Sequence, residues 1–593
     1  MGEFVGINPQ GAQNLLSAMG ETVQRAAALK PYLSASIAEA DDDWPAGPGT
    51  EVLDRCWQFL TAAMRDLNWR TQTIQRVETA SQQHGVKGAE FVFPSAESAH
   101  ASGVIAGDAV KAAWTAYQTD PSLVNWRGLQ SALADRQGKT TDTEYAAGLL
   151  AQLGPSAFTG ILRAESRKHQ NSRSGYSPAD LARAKNDLGP LAEAFAAADS
   201  TGKAPANLRA RLLDHSPMDD LAALLALAPQ SPAFVVAAGT KLAKSSGHRS
   251  PDPDWNTHWL VKALNKDLAA TQQLLATGDN AALLLRPEVV KGTGAPGFEN
   301  MLADTLDKAL APGAGDDNLR RDAWIATIKV FSNHSAWPSF VPSLREGKLT
   351  TASPVGQVLA RHLHQYFPEL ADVWMDRKDA TQGSGLAWKG LTADQVSSFL
   401  GGLLRDPAAL PILEKNYRAF VGGLNLGKVN PFGDAPTEEE REAQRTNFLN
   451  SAKKAGGLAS LFISGLHEAD LSAEEARGLY AQVLMFPLDM AAGAVAGQMG
   501  GKLVVETAIG KAFDIAIKGP AQDLVEQLWD LAPPGEASNL SDQLLKVQMD
   551  ALDQSLREHH VGTLSESDKE YLQFTFKGML YDALHHALEE RDG

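Results

Sequence analysis

Histidines are the residues of this chain whose type and spacing come nearest to those of a metal site. His362 and His364 lie two positions apart, and the pairs His559-His560 and His585-His586 are adjacent. Side chains that share one face of a helix are three or four residues apart, so these spacings keep the two rings of each pair from reaching one metal ion. We therefore predict no metal centre and interpret these histidines as helix-surface residues.

Sequence motifs for covalent or phosphate chemistry are absent. The chain has no P-loop, no His-Glu-x-x-His segment, no Gly-x-Ser-x-Gly turn and no Cys-x-x-Cys pair. The single cysteine, Cys56, excludes an internal disulfide framework and a thiolate zinc site. The aspartates Asp41–Asp43 lack the alternating spacing of a calcium loop. The sequence thus predicts no cofactor and favours binding over catalysis, and an active site assembled only in space stays open.

Charge and composition limit the class of partner. The formal net charge is -17, whereas affinity for a phosphate backbone depends on Lys and Arg side chains. We therefore predict a protein partner and no nucleic acid. Hydrophobic residues make up 44% of the chain and charged residues 21%, which is typical of a folded globular protein.

Neither a targeting segment nor a membrane span is expected. The opening MGEFVGINPQ lacks the basic and apolar regions of a secretory signal peptide, so we expect synthesis in the cytoplasm without Sec export. The Ala/Gly-rich segment 481–519 has its longest uncharged stretch at Met490–Gly501, which is too short to cross a bilayer. The small residues of this segment indicate close helix packing more than membrane contact, and we expect that the chain is not an integral membrane protein.

Two long helices are predicted at the start of the chain. Asn8 and Pro9 form a helix-start signal, and Pro31 is expected to kink the helix that follows. Apolar residues recur three or four positions apart in two stripes, which include Leu15, Met19 and Val23 in the first helix and Trp57, Leu60 and Met64 in the second. The short connection predicts an antiparallel hairpin. Two helices bury too little surface alone, so the stripes should pack either on a second hairpin or on the rest of this chain, and we predict that they are the partner-binding residues.

Three features of residues 1 to about 165 resemble the WXG superfamily of helical-hairpin proteins, which type VII secretion systems export. They are the opening INPQGAQNLL, the turn residue Trp44 and the block DTEYAAGLLAQLGP at 142–155. The family's Trp-x-Gly is here the longer Trp44-Pro45-Ala46-Gly47. The resemblance, to large actinobacterial members in particular, implies export by a non-classical route. It also implies that Trp44 and Gly47 mark the end of the hairpin offered to the export machinery.

A second short motif follows from the same resemblance. Type VII substrates often carry Tyr-x-x-x-Asp/Glu after the hairpin, and Tyr176 and Asp180 have this spacing. The alternative is structural, because Ser177 and Asp180 also form a capping-box pattern at a helix start. Tyr176 and Asp180 are therefore a candidate secretion motif with a competing structural explanation.

Beyond the hairpin the sequence predicts helix after helix. Capping-box patterns precede apolar-periodic runs, and only short pieces such as Glu90–Phe93 suggest extended chain. We predict an all-α fold, with an N-terminal antiparallel helical hairpin followed by multi-helix bundle domains. The predicted segments are a hairpin at 1–85, helical domains at 86–245 and 255–430, and a C-terminal helical domain at 441–593 that contains 481–519.

The predicted function is non-enzymatic and associated with type VII secretion. In this hypothesis the chain is a secretion substrate, or the delivery or scaffold part of a toxin-like protein, and it acts through helical protein-protein interfaces. The alternative is a secreted effector whose C-terminal helices perturb a membrane or bind a target.

Overall fold

The chain is all-α, as predicted, in a computed structural model that describes most of its residues. The described residues are 3–39, 47–76, 81–83, 86–136, 138–169, 175–245, 253–285, 295–332, 353–376, 390–424, 437–469, 479, 483–488, 490–491, 494, 537–558 and 565–592. They form two compact units, with the division between Ala270 and Thr271. Each unit has its own core of Leu, Ala and aromatic side chains.

The first two helices pair along their length. Helix α1 spans Pro9–Glu39 and continues through Pro31, and α2 spans Gly47–Arg76. The side chain of Asn8 accepts a hydrogen bond from the Gly11 backbone N–H at 3.1 Å, which confirms the predicted helix start. Lys30 pairs with Asp54 at 2.5 Å. Nearer the start of α1, the Met64 methyl group packs over Gly20, so the two helices run in opposite directions. We call α1 and α2 together the hairpin arm.

A small antiparallel sheet, which the sequence analysis did not predict, closes the base of the hairpin arm. Its strands are β1 (Glu3–Ile7), β2 (Ser81–Gln83) and β3 (Val86–Phe91), in the order β1-β3-β2. Glu3 lies opposite Phe91, and Ile7 lies opposite Lys87. Since β1 enters α1 directly and β3 comes after α2, this pairing ties the two ends of the arm together.

Eight more of the described helices belong to the first unit. They are α3 (Ala96–Thr119), α4 (Leu123–Ala134), α5 (Thr143–His169), α6 (Pro178–Asp199), α7 (Ala206–His215), α8 (Met218–Leu227), α9 (Pro232–Ser245) and α10 (Trp255–Leu264). Helices α3 and α5 approach closely, because a Cβ at Gly148 would stand only 2.3 Å from the His100 carbonyl oxygen. Gly154, with φ 77°, kinks α5 just before Pro155.

Most of the remaining helices belong to the second unit. After α11 (Leu268–Ala276), which contains the division, they are α12 (Asn280–Leu284), α13 (Phe298–Leu310), α14 (Asp317–Phe331), α15 (Pro354–Leu363), α16 (Phe367–Asp376), α17 (Ala393–Leu404), α18 (Leu410–Leu424), α19 (Glu438–Glu468), α20 (Ala537–Glu558) and α21 (Glu566–Asp592). A short 3₁₀ turn, His364–Tyr366, joins α15 to α16. Helix α19 packs on α16, α17 and α21.

Contacts in the second unit cross the predicted segment boundary near residue 430. Helices α16 and α17 belong to the predicted segment 255–430, and α19 belongs to 441–593, yet they pack together. The four-segment division stays a prediction about independent folding. Most of segment 481–519 lies outside the described residues. Among the helices that are described, none is long and apolar enough to cross a membrane.

Candidate protein interface

Each helix of the hairpin arm carries apolar residues on two faces, and one of these faces points at the other helix. On α1 the inner positions Met19 and Val23 are half-buried, as are Leu60 and Met64 on α2. The Met64 methyl carbon lies 3.6 Å from where a Cβ at Gly20 would stand. These inner side chains therefore hold the hairpin together and are largely unavailable to a partner.

The outer faces of the arm leave large apolar side chains in water. Twelve large hydrophobic residues are exposed in the described part of the chain, and seven of them lie on the arm. We call these seven the outer seam: Leu15, Leu29, Tyr32, Leu33, Val52, Trp57 and Phe59. Tyr32 and Phe59 are each 72% exposed. A concentration of exposed apolar surface on one element marks an interaction site more often than scattered residues do.

The predicted partner-binding residues differ in exposure, although those of each helix share one stripe. Leu15 and Trp57 belong to the outer seam, with exposures of 52% and 40%. Met19, Val23, Leu60 and Met64 belong to the inner face. Gly47 is the first residue of α2, and Trp44 lies outside the described residues. Sequence periodicity identifies the apolar residues of a helix, but it does not tell which of them the neighbouring helix covers.

A buried hydrogen bond anchors the lower half of α2 to α5. The indole N–H of Trp69, which is fully buried, donates to the Asp142 carboxylate at 2.9 Å. The other Asp142 oxygen accepts from the backbone N–H groups of Glu144 and Tyr145 at 3.0 Å each, and so caps α5. Burial raises the pKa of Asp142, while these three donors act in the opposite direction.

Glu144, next to this anchor, forms ion pairs with basic side chains from two parts of the chain. It pairs with Arg65 of α2 at 3.3 Å and with Lys203 at 3.0 Å, and His100 Nδ1 lies 3.4 Å from it. Burial opposes ionisation of Glu144, but the hydrogen bonds and charges of Lys203 and Arg65 prevail and lower its pKa. Lys203 also donates to Gln72 of α2 at 3.3 Å. Two cations shared by one buried carboxylate hold α2 in a defined position on α5.

Arg70 makes a third set of contacts at the base of the arm. Its guanidinium lies 5.3 Å from the Trp69 ring centroid and 5.2 Å from that of Phe91 in β3. It also donates to Asp66 at 3.1 Å and to the Pro94 carbonyl oxygen at 3.1 Å. Sequence analysis missed these anchor residues. The available signal was the block 142–155, whose first residues, Asp142 and Glu144, contact the hairpin arm.

The candidate motif at Tyr176 and Asp180 lies in the interior of the first unit. Tyr176 is fully buried, and its hydroxyl donates to Ser166 Oγ at 3.1 Å. Asp180 is 3% exposed, accepts from Ser177 Oγ at 2.8 Å and pairs with Arg183. The structure thus confirms the predicted capping box. In the folded chain a receptor has no access to the Tyr176 side chain.

Two buried acids, Glu165 and Asp220, lie close to Tyr176. Glu165 and Asp220 are fully buried, and Asp220 accepts a hydrogen bond from Ser166. Burial, with the neighbouring Asp187 carboxylate, raises the pKa of Glu165 to about 9. Burial, with Asp219, raises that of Asp220 to about 8. Perturbed acids are typical of active sites, and these two side chains are fully enclosed by described residues of the first unit. They are neutral core groups at neutral pH.

His362 is buried, so its interpretation as a helix-surface residue is wrong, whereas His364 is exposed as expected. His362 Nε2 lies 2.8 Å from Asp307, and His364 Nδ1 lies 2.7 Å from the Arg361 carbonyl oxygen. No grouping of three metal-binding side chains occurs among the described residues.

Comparison with known proteins adds no assignment: no family model matches the chain, and neither curated proteins nor solved structures give a match.

Proposed function

We propose that this chain is a non-enzymatic binding protein whose hairpin arm associates with a helical hairpin of a partner protein. One observation carries the proposal: seven of the twelve exposed large hydrophobic residues in the described part of the chain lie on this one arm. Burial of a Leu, Val or Phe side chain contributes about 1.5–3 kcal/mol, so a few of these residues supply a substantial part of a binding free energy.

The spacing of the outer seam suits a helical partner. On α2, Val52, Cys56 and Phe59 are exposed and follow each other at helical intervals. On α1, Leu29, Tyr32 and Leu33 form a second exposed group. Helices that pack side by side present apolar residues every three or four positions. Two added helices would cover both groups and complete a four-helix bundle with α1 and α2.

The anchor at Trp69 and Glu144 gives the arm a fixed base from which to present the outer seam. After residue 64, in the half of α2 nearest the sheet, the helix is held by Arg65, Trp69 and Arg70. In the half of the arm away from the sheet, the apolar outer positions of both helices are exposed. A surface held in place before binding loses less conformational entropy on association, which strengthens the complex.

The association with type VII secretion rests on the resemblance of the sequence to the WXG superfamily. Its test is the abundance of tagged protein in culture supernatant and lysate, with and without the ATPase of the host's type VII system. Export that depends on the ATPase supports the proposal, and retention in both strains contradicts it. We expect Trp44→Ala to reduce export while the helical circular dichroism signal stays unchanged; a loss of helicity in this variant would refute the recognition role of Trp44.

The interface itself is tested by site-specific photocrosslinking in the producing cell. A photoreactive residue at Phe59 should form a crosslink to a helical protein, which mass spectrometry then identifies. The control is Gln24, which is exposed on α1 but lies outside the outer seam. Equal crosslinking at the two positions, or a product without helical-hairpin character, would contradict the proposed interface.

A further inference from the structure

The second unit contains an apolar groove with a volume of about 370 Å³. It runs between α19 and α21 and is closed at its floor by Trp374 of α16, which is 5% exposed. Its walls include Leu449, Lys453, Gly456, Tyr571, Phe574 and Gly578. We call this the C-terminal groove, and all of it lies in one compact unit.

Free space and uncovered apolar surface coincide in the C-terminal groove. Phe574 is 87% exposed, the highest exposure of any large hydrophobic residue in the described part of the chain. One turn further along α21, a Cβ added at Gly578 would have no neighbouring atom within 4 Å. Trp374, Leu449 and Tyr571 extend the apolar wall. The volume falls near the lower end of the range for small-molecule sites, which is about 300–1,000 Å³.

One lysine that lines the C-terminal groove is free to pair with an anionic group. Lys453 lines it, is exposed and makes no hydrogen bond or ion pair with any described residue. The one acid of the lining, Asp582, already has an interaction of its own within the chain. An ammonium group beside an apolar wall suits a ligand with an anionic end and an apolar body.

We propose that the C-terminal groove binds a small single-chain amphiphile with a carboxylate head group. The alkyl chain lies along Trp374, Tyr571 and Phe574 in the space beside Gly578, and the carboxylate pairs with Lys453. A peptide helix is a poorer occupant, since it is about 10–12 Å across with side chains, whereas a cube with the groove's volume of 370 Å³ has an edge of only about 7 Å. Gly578 leaves room for the chain, because a side chain there would occupy that space.

The test uses the full-length chain and a dansyl-labelled undecanoic acid, whose fluorescence rises in an apolar site, displaced by dodecanoate. We expect saturable binding to the wild type. Gly578→Leu fills the groove with a side chain and, because Leu favours helix more than Gly, leaves α21 intact. It should weaken binding at least tenfold. The matched control is Gly423→Leu in α18, where a Cβ also has no neighbour within 4 Å; it should bind as the wild type does.

The head group is tested separately. Lys453→Gln should weaken dodecanoate binding about two- to fivefold, as expected for an exposed ion pair, and leave dodecanol binding unchanged. The proposal is overturned if the probe shows no saturable binding, or if Gly578→Leu and Gly423→Leu have equal effects. It is also overturned if the chain binds phosphatidylglycerol vesicles and dodecanoate does not compete, because the groove would then contact a bilayer surface.

Discussion

Phe59→Gln is the substitution that separates binding by the hairpin arm from its folding most cleanly. Phe59 is 72% exposed on α2, so its removal takes little packing from the free protein. Gln is a good helix former and keeps α2 continuous. The variant should therefore unfold at the wild-type temperature, and any loss should appear only when a partner is present.

The size of that loss follows from the exposed fraction of the side chain. Full burial of a Phe contributes about 1.5–3 kcal/mol. With 72% of the ring still in water, a partner that covers Phe59 gains about 1–2 kcal/mol from it. This corresponds to about a 5- to 30-fold increase in Kd when the ring is removed.

Isothermal titration calorimetry of the full-length chain against the crosslinked partner, once purified, measures this Kd. The matched control is Phe574→Gln, which removes a ring of 87% exposure from the other unit and should leave the Kd unchanged. A wild-type Kd for Phe59→Gln would refute the assignment of the outer seam. A lowered melting temperature would show instead that Phe59 contributes to folding.

Three further predictions concern stability and are checked by thermal unfolding. Gly148→Ala should destabilise the first unit by about 1–3 kcal/mol, because the new Cβ would overlap a backbone carbonyl of α3 at 2.3 Å; the same change at the open Gly128 should not destabilise it. Trp69→Phe should lower the free energy of unfolding by about 1–3 kcal/mol, since it leaves the buried Asp142 oxygen without its donor. An unchanged melting temperature would contradict the stabilising role of this hydrogen bond. Glu165 has a folded-state pKa of about 9 against an ordinary 4.5, so the folded chain holds a proton that the unfolded chain loses, and stability falls as pH rises across this window. Glu165→Gln should make the decrease in stability between pH 5 and 8 less steep. An equal dependence of stability on pH in the wild type and the variant would contradict a protonated Glu165 in the folded chain.

Local signals in the sequence predicted several helix starts correctly. Asn8 caps α1, and the box at Ser177–Asp180 forms as predicted, because a cap involves only residues three positions apart. The sheet was missed, since β1 and β3 are separated by the whole hairpin arm and pair through backbone groups that any residue provides. The C-terminal groove was also missed, because α19 and α21 are far apart in the chain.

The sequence by itself determined the all-α class and the two amphipathic helices at its start, since both follow from helix propensity and from apolar spacing within one segment. Only the tertiary structure decided which face of each helix is free. It placed Met19 and Met64 inside the hairpin arm and left Tyr32 and Phe59 in water. It also enclosed Tyr176 and Glu165 in the core, although residues of both types are common at protein surfaces. Exposure depends on contacts between residues distant in the chain, and the order of residues along one helix does not specify those contacts.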